Sequence, residues 1–166
     1  MEISLSNSCK LAIIDSEDWP LVSQVRTWSI NKRGYVYGNC GQETWLLHKI
    51  VLHIFPGDIR LVDHINHDLL DCRKSQLRIS NQSQNHANQR KTRGTSKYKG
   101  VSWDSHNCKW IAMICCNKKQ INLGRYHSEI EAAKVYDKAA INLFGEFALL
   151  NFSNYHCRKT GLTPNS

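Results

Sequence analysis

The chain has 166 residues, of which 41% are hydrophobic, which is enough for one mid-sized domain or two small ones with a core. Its net charge of +8 is uneven, because residues 1–90 carry 10 Lys and Arg against 9 Asp and Glu, whereas residues 91–166 carry 12 against 5. No apolar run approaches the roughly 18 residues of a membrane span, and the N-terminus lacks the basic and apolar regions of a secretory signal. We therefore expect a cytoplasmic protein with no membrane partner. The basic half indicates contact with a polyanion, with a merely well-charged surface as the alternative.

The cysteines give no sign of a disulfide framework. There are seven of them: Cys9, Cys40, Cys72, Cys108, Cys115, Cys116 and Cys157. The odd count, the irregular spacing and the absence of a Cys-x-x-Cys pair argue against both disulfides and a zinc ribbon. We therefore expect a reduced, intracellular protein, and a zinc site built from His64, His67 and Cys72 is the alternative.

The first third of the chain alternates short strand and helix patterns. In order, it predicts a strand at 10–14, a helical turn with Ser16 as N-cap, hairpin strands at 26–30 and 34–38, and a helix at 45–55. Asn31 and Gly34 supply the turn chemistry of the hairpin, and Pro56 with Gly57 ends the helix. His48 lies beside the apolar stripe of this helix, where we expect packing or solvent exposure, with an approach to the active site as the alternative.

A carboxylate, an imidazole and an amide follow in the next segment. It predicts a strand at 59–65 that ends at Asp63-His64, a second strand at 77–79, and a helix over about 81–89 that carries Asn85. Mg²⁺ (or Mn²⁺) prefers oxygen ligands and retains several waters, so Asp63 and Asn85 can hold it together with phosphate oxygens. An ordinary pKa of about 6.5 lets His64 accept a proton from water near neutral pH. By residue type alone, a structural Asp-His pair is the commoner alternative.

Residues 46–88 resemble the HNH endonuclease family. The matching segments are LLHKIV, VDHINHDLLDCRKSQLR and the Asn-x-x-Asn pair formed by Asn85 and Asn88. The resemblance implies a ββα-metal core over about 59–90, within a nuclease domain of residues 1–90.

Site roles follow from this resemblance. It implies that Asp63 and Asn85 bind the metal and that His64 is the general base. The family's middle Asn, which orients the histidine through its side-chain carbonyl, falls on Gln76. Gln76 offers the same amide with one more methylene. Cys72 stands where many relatives carry Asn, and the sequence gives no physical reason for it.

A second module follows a basic stretch. Residues 91–97 mark the predicted boundary, and the module extends over 98–152. Three strands joined by short polar turns are predicted at 98–103, 109–116 and 119–124. Ser128 and Glu131 form a capping box for a helix that ends at Gly145.

This second module resembles the DNA-binding domain of plant ethylene-response factors, also called the APETALA-type domain. The matching segments are YKGV, KWIAMI, INLGRYHSEIEAAKVYDKAAI and FGEFALLNF. The resemblance implies a three-stranded antiparallel sheet that enters the major groove of double-stranded DNA while the helix supports its back. Residues 153–166 then form a polar tail.

The DNA contacts implied by this resemblance fall into three groups. Where plant members place arginines on the reading face, this chain has Ser102, Asp104, Cys115, Gln120 and Asn122, with Lys99 keeping a positive charge. Phosphate contacts are expected from Lys109, Lys118, Lys119 and Arg125. The linker residues that follow the DNA backbone are Arg90, Lys91, Arg93 and Lys97, with a solvated tether as the alternative. Trp103 and Trp110 are expected in the core, with base contact as the alternative.

The sequence thus predicts an α+β protein, with an N-terminal HNH ββα-metal nuclease domain followed by a three-stranded antiparallel sheet packed on one helix. The predicted function is a metal-dependent DNA endonuclease of the homing type, encoded by a phage or another mobile element. One active site attacks one strand, so a monomer nicks, whereas a homodimer can cut both strands. No obligate protein partner is indicated. The rival is a non-catalytic DNA-binding regulator with a degenerate nuclease domain, which Gln76 favours.

Overall fold

The computed structural model describes residues 1–90 and 93–152. The chain forms two compact units, Met1–Asn85 and a second unit that begins at His86. Strands and helices occur in both, which confirms the α+β class. The division between the units falls inside a helix, ahead of the stretch 91–97 in which the sequence places the boundary.

Two predictions concern residues outside the described ranges. They are the DNA contact of Lys91 and the polar tail at 153–166. Within the described ranges, no helix has the length and apolar character needed to cross a membrane.

The first unit contains a five-stranded sheet. Its strands are β1 (Glu2–Leu5), β2 (Ser8–Ile13), β3 (Trp28–Ile30), β4 (Val36–Cys40) and β5 (Glu43–Leu46), in the order β2-β1-β3-β4-β5. The predicted β3–β4 hairpin is confirmed, and its turn is held by Asn31 Oδ1, which accepts from the N–H groups of Arg33 and Tyr35 at 2.9 and 3.1 Å. The sequence analysis missed β1 and β5. Strand β5 lacks a two-residue alternation, whereas β1 alternates polar and apolar residues over only four positions.

Two helix predictions in this unit are wrong in detail. The expected helix at 45–55 is reduced to α2 (Leu47–Ile50), because Trp45 belongs to β5 and His53 takes a left-handed conformation with φ of 53°. Ser16 is not an N-cap: it begins a 3-10 turn before α1 (Trp19–Val22), and the residue ahead of that turn makes no capping bond.

The hydrophobic core of the first unit nevertheless uses the predicted apolar stripe. Its fully buried side chains include Ile14, Val22, Val36, Leu47, Ile50, Val51 and Ile54. Burying one such side chain contributes about 1.5–3 kcal/mol. Cys72 also lies in this core with no exposed surface, and its N–H donates to Ile13 O at 2.8 Å. Burial raises the pKa of the Cys72 thiol to about 12, so this cysteine acts as a small apolar side chain.

The strand, loop, strand, helix order expected around the Asp-His pair is confirmed. The elements are β6 (Leu61–His64), β7 (Leu77–Ser80) and α3 (Gln82–Asn88), and the two strands pair antiparallel. The loop between them is tied to the five-stranded sheet, because the Ile13 N–H donates to Leu70 O at 2.8 Å. This pairing fixes the hairpin against the core of its own unit.

The second unit is a three-stranded antiparallel sheet packed on one helix. Its elements are β8 (Val101–Asp104), β9 (Lys109–Cys116), β10 (Lys119–Tyr126) and α4 (Glu129–Phe144), with sheet order β10-β9-β8. The predicted cap is confirmed, since Ser128 Oγ accepts from the Glu131 N–H at 3.4 Å. Gly145 follows the last turn with φ of 53°.

Small residues let α4 approach the sheet closely. The buried helix positions Ala132, Ala133 and Ala140 face the sheet residue Ala112 and its neighbours in two adjoining apolar clusters. Gly100 is required for the same reason: a β-carbon there would lie 1.9 Å from Tyr136 Cδ2, and its φ is +73°.

Candidate active site and nucleic-acid interface

Asp63 is held by an arginine on the facing strand. The two residues lie directly opposite each other in the β6–β7 pair, and Arg78 donates from Nε and Nη2 to Asp63 Oδ2 at 2.9 and 2.8 Å. The side chain of Asp63 is only 7% exposed, and that of Arg78 is only 14% exposed. The carboxylate is therefore oriented by a largely buried ion pair, a partner that the sequence analysis missed.

His64 is the last residue of β6 and lies among aromatic rings. Its ring centroid is 5.1 Å from that of His48 and 6.3 Å from that of Tyr35, and only 4% of the residue is exposed. Burial lowers the pKa of His64, while the carboxylates of Asp63, Asp68 and Asp71 oppose that shift. The imidazole is therefore neutral near pH 7, the form that accepts a proton.

His48, on α2, is a second buried histidine of this site. It is 4% exposed, its ring is 5.2 Å from that of Tyr35, and among the described residues its Nδ1 has no hydrogen-bond partner. Burial first, and then the nearby His64 and Lys49, lower the pKa of His48 to about 3. The sequence places His48 beside the apolar stripe of its helix, but periodicity carries no signal that it contacts His64.

The depressed pKa of His48 predicts a specific loss of stability in acid. Between about pH 6.5 and 3 the unfolded chain binds a proton that the folded chain excludes, so stability falls as the pH drops through this window. Below about pH 6.5 the loss is about 1.4 kcal/mol per pH unit. We expect His48→Phe to remove about 2 kcal/mol of the difference in unfolding free energy between pH 7 and pH 5, measured by urea denaturation. The exposed His53, changed to Asn, is the matched control, and an equal pH dependence in His48→Phe and wild type would contradict the prediction.

Gln76 and Asn85, the other predicted site residues, lie in the same unit. Gln76 ends a 3-10 turn, and its carbonyl accepts from the N–H of Ile65, the residue after His64, at 2.9 Å. Asn85 is half-buried on α3, and its N–H donates to Asn81 O at 2.9 Å. The backbone thus places Gln76 beside the end of β6 and Asn85 on the helix after β7.

The donor set fits a hard cation better than zinc. Asp63 and Asn85 provide a carboxylate and an amide oxygen, which suit Mg²⁺ when water and phosphate complete the coordination. In residues 1–90 and 93–152, no three His, Cys, Asp or Glu side chains converge as a zinc site built from such ligands would need. The alternative zinc site with Cys72 therefore has no support, since that thiol lies in the apolar core.

The second unit presents one sheet face away from α4. Val101, Ala112 and Ile114 pack toward the helix, so the alternating residues of the three strands point to the opposite side. Residues paired across the strands confirm one shared surface, which we call the outer face. It comprises Ser102, Asp104, Lys109, Ile111, Met113, Cys115, Gln120, Asn122 and Arg125.

The remaining predicted DNA contacts lie around this face or away from it. Lys118 is exposed in the β9–β10 turn, whereas Lys119 is paired with Cys116 and so has the opposite orientation from Gln120. Arg90 and Arg93 line a cleft of about 430 Å³ in the second unit. Other lining residues of this cleft are Ser102, Met113, Cys115 and Gln120.

Four aromatic or cationic side chains near the strands have contacts within the protein. The Lys97 ammonium lies 5.1 Å from the centroid of the Tyr98 ring. Trp103 and Trp110 pack edge to face with centroids 5.0 Å apart. Trp110 joins the apolar cluster as expected, but Trp103 is 40% exposed and so is only partly a core residue.

Lys99 is engaged by backbone carbonyls rather than projecting from the outer face. Its ammonium donates to Ala87 O, to Gln89 O at 2.7 Å and to His86 O at 3.3 Å, at the C-terminal end of α3. Burial lowers its pKa to about 8. A cation that caps helix carbonyls has few donors left for phosphate, so this geometry argues against the expected DNA contact of Lys99, which stays a prediction.

We expect Lys99→Met to lower the unfolding free energy by about 1–2 kcal/mol, because the α3 carbonyls lose charged hydrogen bonds. The same change should leave the salt dependence of DNA affinity unaltered. The matched control is Lys109→Met on the outer face, which should reduce the slope of log affinity against log salt by about 1 and leave stability unchanged. Fluorescence anisotropy across a salt series measures the slope for each variant, and urea denaturation measures its unfolding free energy. A smaller salt slope in Lys99→Met would restore the phosphate role.

Comparison with known proteins gives two kinds of relative. An uncharacterized HNH endonuclease of Acanthamoeba polyphaga mimivirus is 33% identical over 150 residues, which cover 84% of this chain and 74% of the relative. An ethylene-responsive transcription factor of Arabidopsis thaliana is 43% identical over 79 residues, 44% of this chain and 18% of the factor. An APETALA2-like protein of Oryza sativa is 44% identical over 63 residues, 36% of this chain and 14% of the relative. No protein-family model matches the chain.

Proposed function

The chain belongs to the HNH endonuclease family, and we propose that it is a metal-dependent, sequence-recognising DNA endonuclease of the homing type that nicks one strand per active site. The observation that carries the proposal is the buried, ring-packed His64 that follows the oriented carboxylate of Asp63 in the chain, in a hairpin followed by α3. Relatives among ethylene-responsive transcription factors support DNA as the substrate. The viral source of the long relative supports an origin in a mobile element.

His64 has the role of general base in this proposal. Its lowered pKa leaves the imidazole unprotonated at neutral pH, so that it can take a proton from the attacking water. Tyr35 and His48 pack near its ring, with centroids 6.3 and 5.1 Å away. Gln76, the last residue before β7, is the candidate for orienting the imidazole through its side-chain amide.

Asp63 and Asn85 are the residues that would hold the cation. When bound, a divalent ion polarises the phosphate and stabilises the departing 3′ oxygen. Arg78 orients the Asp63 carboxylate through Oδ2 and balances its charge in a nearly dry setting. The pair of oxygen ligands leaves room for the waters that Mg²⁺ retains.

Cleavage of a plasmid library tests the proposal. Supercoiled plasmids that carry random inserts are incubated with the full chain in Mg²⁺, in Mn²⁺ or in EDTA, and open-circular and linear products are separated on gels and sequenced. We expect open circles from a recurring site with either metal and none in EDTA. If linear plasmid is the first product, the protein cuts both strands, and a homodimer takes the place of the nicking monomer in the proposal. Stable binding without any cleavage would refute the nuclease.

A second candidate, a DNA-binding regulator without nuclease activity, is favoured by a specific observation. His64 is only 4% exposed, and Asp63 is paired with Arg78, so both groups are already packed within the protein. The presence of Gln76 in place of the family's Asn also favours a regulator without nuclease activity. The plasmid assay separates the two candidates, because only a nuclease relaxes the supercoiled substrate.

A further inference from the structure

The outer face of the second unit carries two amides and an apolar row beside an arginine that is paired with a carboxylate. We propose that it recognises A·T base pairs in the major groove and that Gln120 is its adenine-specifying residue. This inference rests on the proposed DNA-binding function and adds the base class that the protein selects.

Arg125, the arginine of the outer face, is paired with a neighbouring carboxylate. Arg125 Nε donates to Asp104 Oδ2 at 2.8 Å, and Asp104 is further held by the side chain of Asn107 at 2.8 Å. Bidentate pairing of Arg with guanine O6 and N7 is the commonest specific contact in the major groove. An arginine tied to a carboxylate on the same face presents fewer donors for that contact, and the adjacent carboxylate repels guanine's acceptors.

The two amides of the outer face are not equivalent. Asn122 Oδ1 accepts from the Gly124 N–H at 2.9 Å, at the bulge of β10, so one lone pair of this acceptor is engaged within the protein. Its NH₂ group remains as a donor for base acceptors such as thymine O4. Gln120 is exposed and opposite Cys115. Its amide offers the acceptor and donor that match adenine N6 and N7.

The centre of the outer face is apolar. Ile111 and Met113 are half-exposed on β9, and Cys115 continues the same row beside Gln120. Apolar side chains contact the thymine methyl group, which only A·T and T·A pairs present in the major groove. An amide beside an apolar row therefore matches adenine on one strand and thymine on the other.

Phosphate contacts are available beside these groups. Gln120 and Ser102 line the cleft of about 430 Å³ that Arg90 and Arg93 also line. Guanidinium groups bind phosphate without regard to sequence and set the register of the protein on DNA. The cleft thus places positioning groups and base-reading groups of one unit on a shared surface.

Selection of bound DNA tests the inference. The full chain, in EDTA to prevent cleavage, is incubated with a random double-stranded DNA library, and bound molecules are amplified and sequenced over several rounds. We expect a consensus whose core consists of consecutive A·T pairs. Gln120→Ala should lower the preference at one adenine by roughly 5- to 150-fold and leave the other positions unchanged. Lys134→Ala, on the exposed side of α4, is the control and should reproduce the wild-type consensus.

Each other result of the selection overturns the inference. A G·C-rich core, or a consensus that Gln120→Ala leaves intact, would show that another residue reads the bases. If the selected DNA is cleaved on addition of Mg²⁺ but lacks an A·T core, the nuclease proposal stands and only the base assignment fails. If no sequence is enriched and no plasmid is cleaved, both proposals fail together.

Discussion

His64→Ala should lower the rate of plasmid nicking by a factor of about 10²–10⁴, the contribution of a general base to proton transfer. The affinity for DNA should stay within a few-fold of wild type, because the imidazole is buried and the proposed DNA contacts lie in the second unit. Single-turnover nicking in Mg²⁺ measures the first quantity, and fluorescence anisotropy in EDTA measures the second.

Two further variants make this result interpretable. His64→Gln keeps a polar side chain of similar reach among the rings of Tyr35 and His48, so it separates loss of the base from collapse of the site. His127→Ala changes an exposed histidine of the second unit and should nick at the wild-type rate. A His64→Ala protein that unfolds normally in urea yet nicks within threefold of wild type would remove His64 from the mechanism.

Arg78→Leu should destabilise the first unit by about 3–5 kcal/mol, because it leaves the buried Asp63 carboxylate without the guanidinium that donates to Oδ2. Changing both residues, Asp63→Leu with Arg78→Leu, should recover most of that loss, since no buried charge then remains. Urea denaturation of the wild type, the two single variants and the double variant gives the coupling energy directly. Additive losses in this cycle would show that the ion pair does not determine the stability of the hairpin.

The same variant reports on the proposed cation site. A ligand that binds only the folded state stabilises it in proportion to its affinity and concentration. Removing the competing guanidinium should therefore make the midpoint temperature of Arg78→Leu rise more with added Mg²⁺ than that of wild type. Asp63→Asn, in which the charge itself is lost, should show a smaller rise than either protein. An identical response in all three would place the metal away from Asp63.

Local patterns predicted the elements that carry the candidate site. The hairpin and helix around Asp63, the three strands of the second unit and the capping box at Ser128 all follow from alternation, turn residues and caps. Patterns failed where the tertiary structure competes with them. The stripe at 45–55 is apolar at helical spacing, but pairing of Trp45 within β5 leaves only one helical turn.

The sequence by itself determined which residue types stand at the strand ends and on the outer face, because neighbouring side chains alternate across a strand wherever it lies. Only the tertiary structure decided what surrounds them. Strand register places Arg78 opposite Asp63, and the packing of α2 brings His48 into contact with His64. The Lys99 ammonium donates to carbonyls at the end of α3. The charge state and exposure of a group depend on such distant neighbours, because burial and hydrogen bonds set the energy of its ionised form.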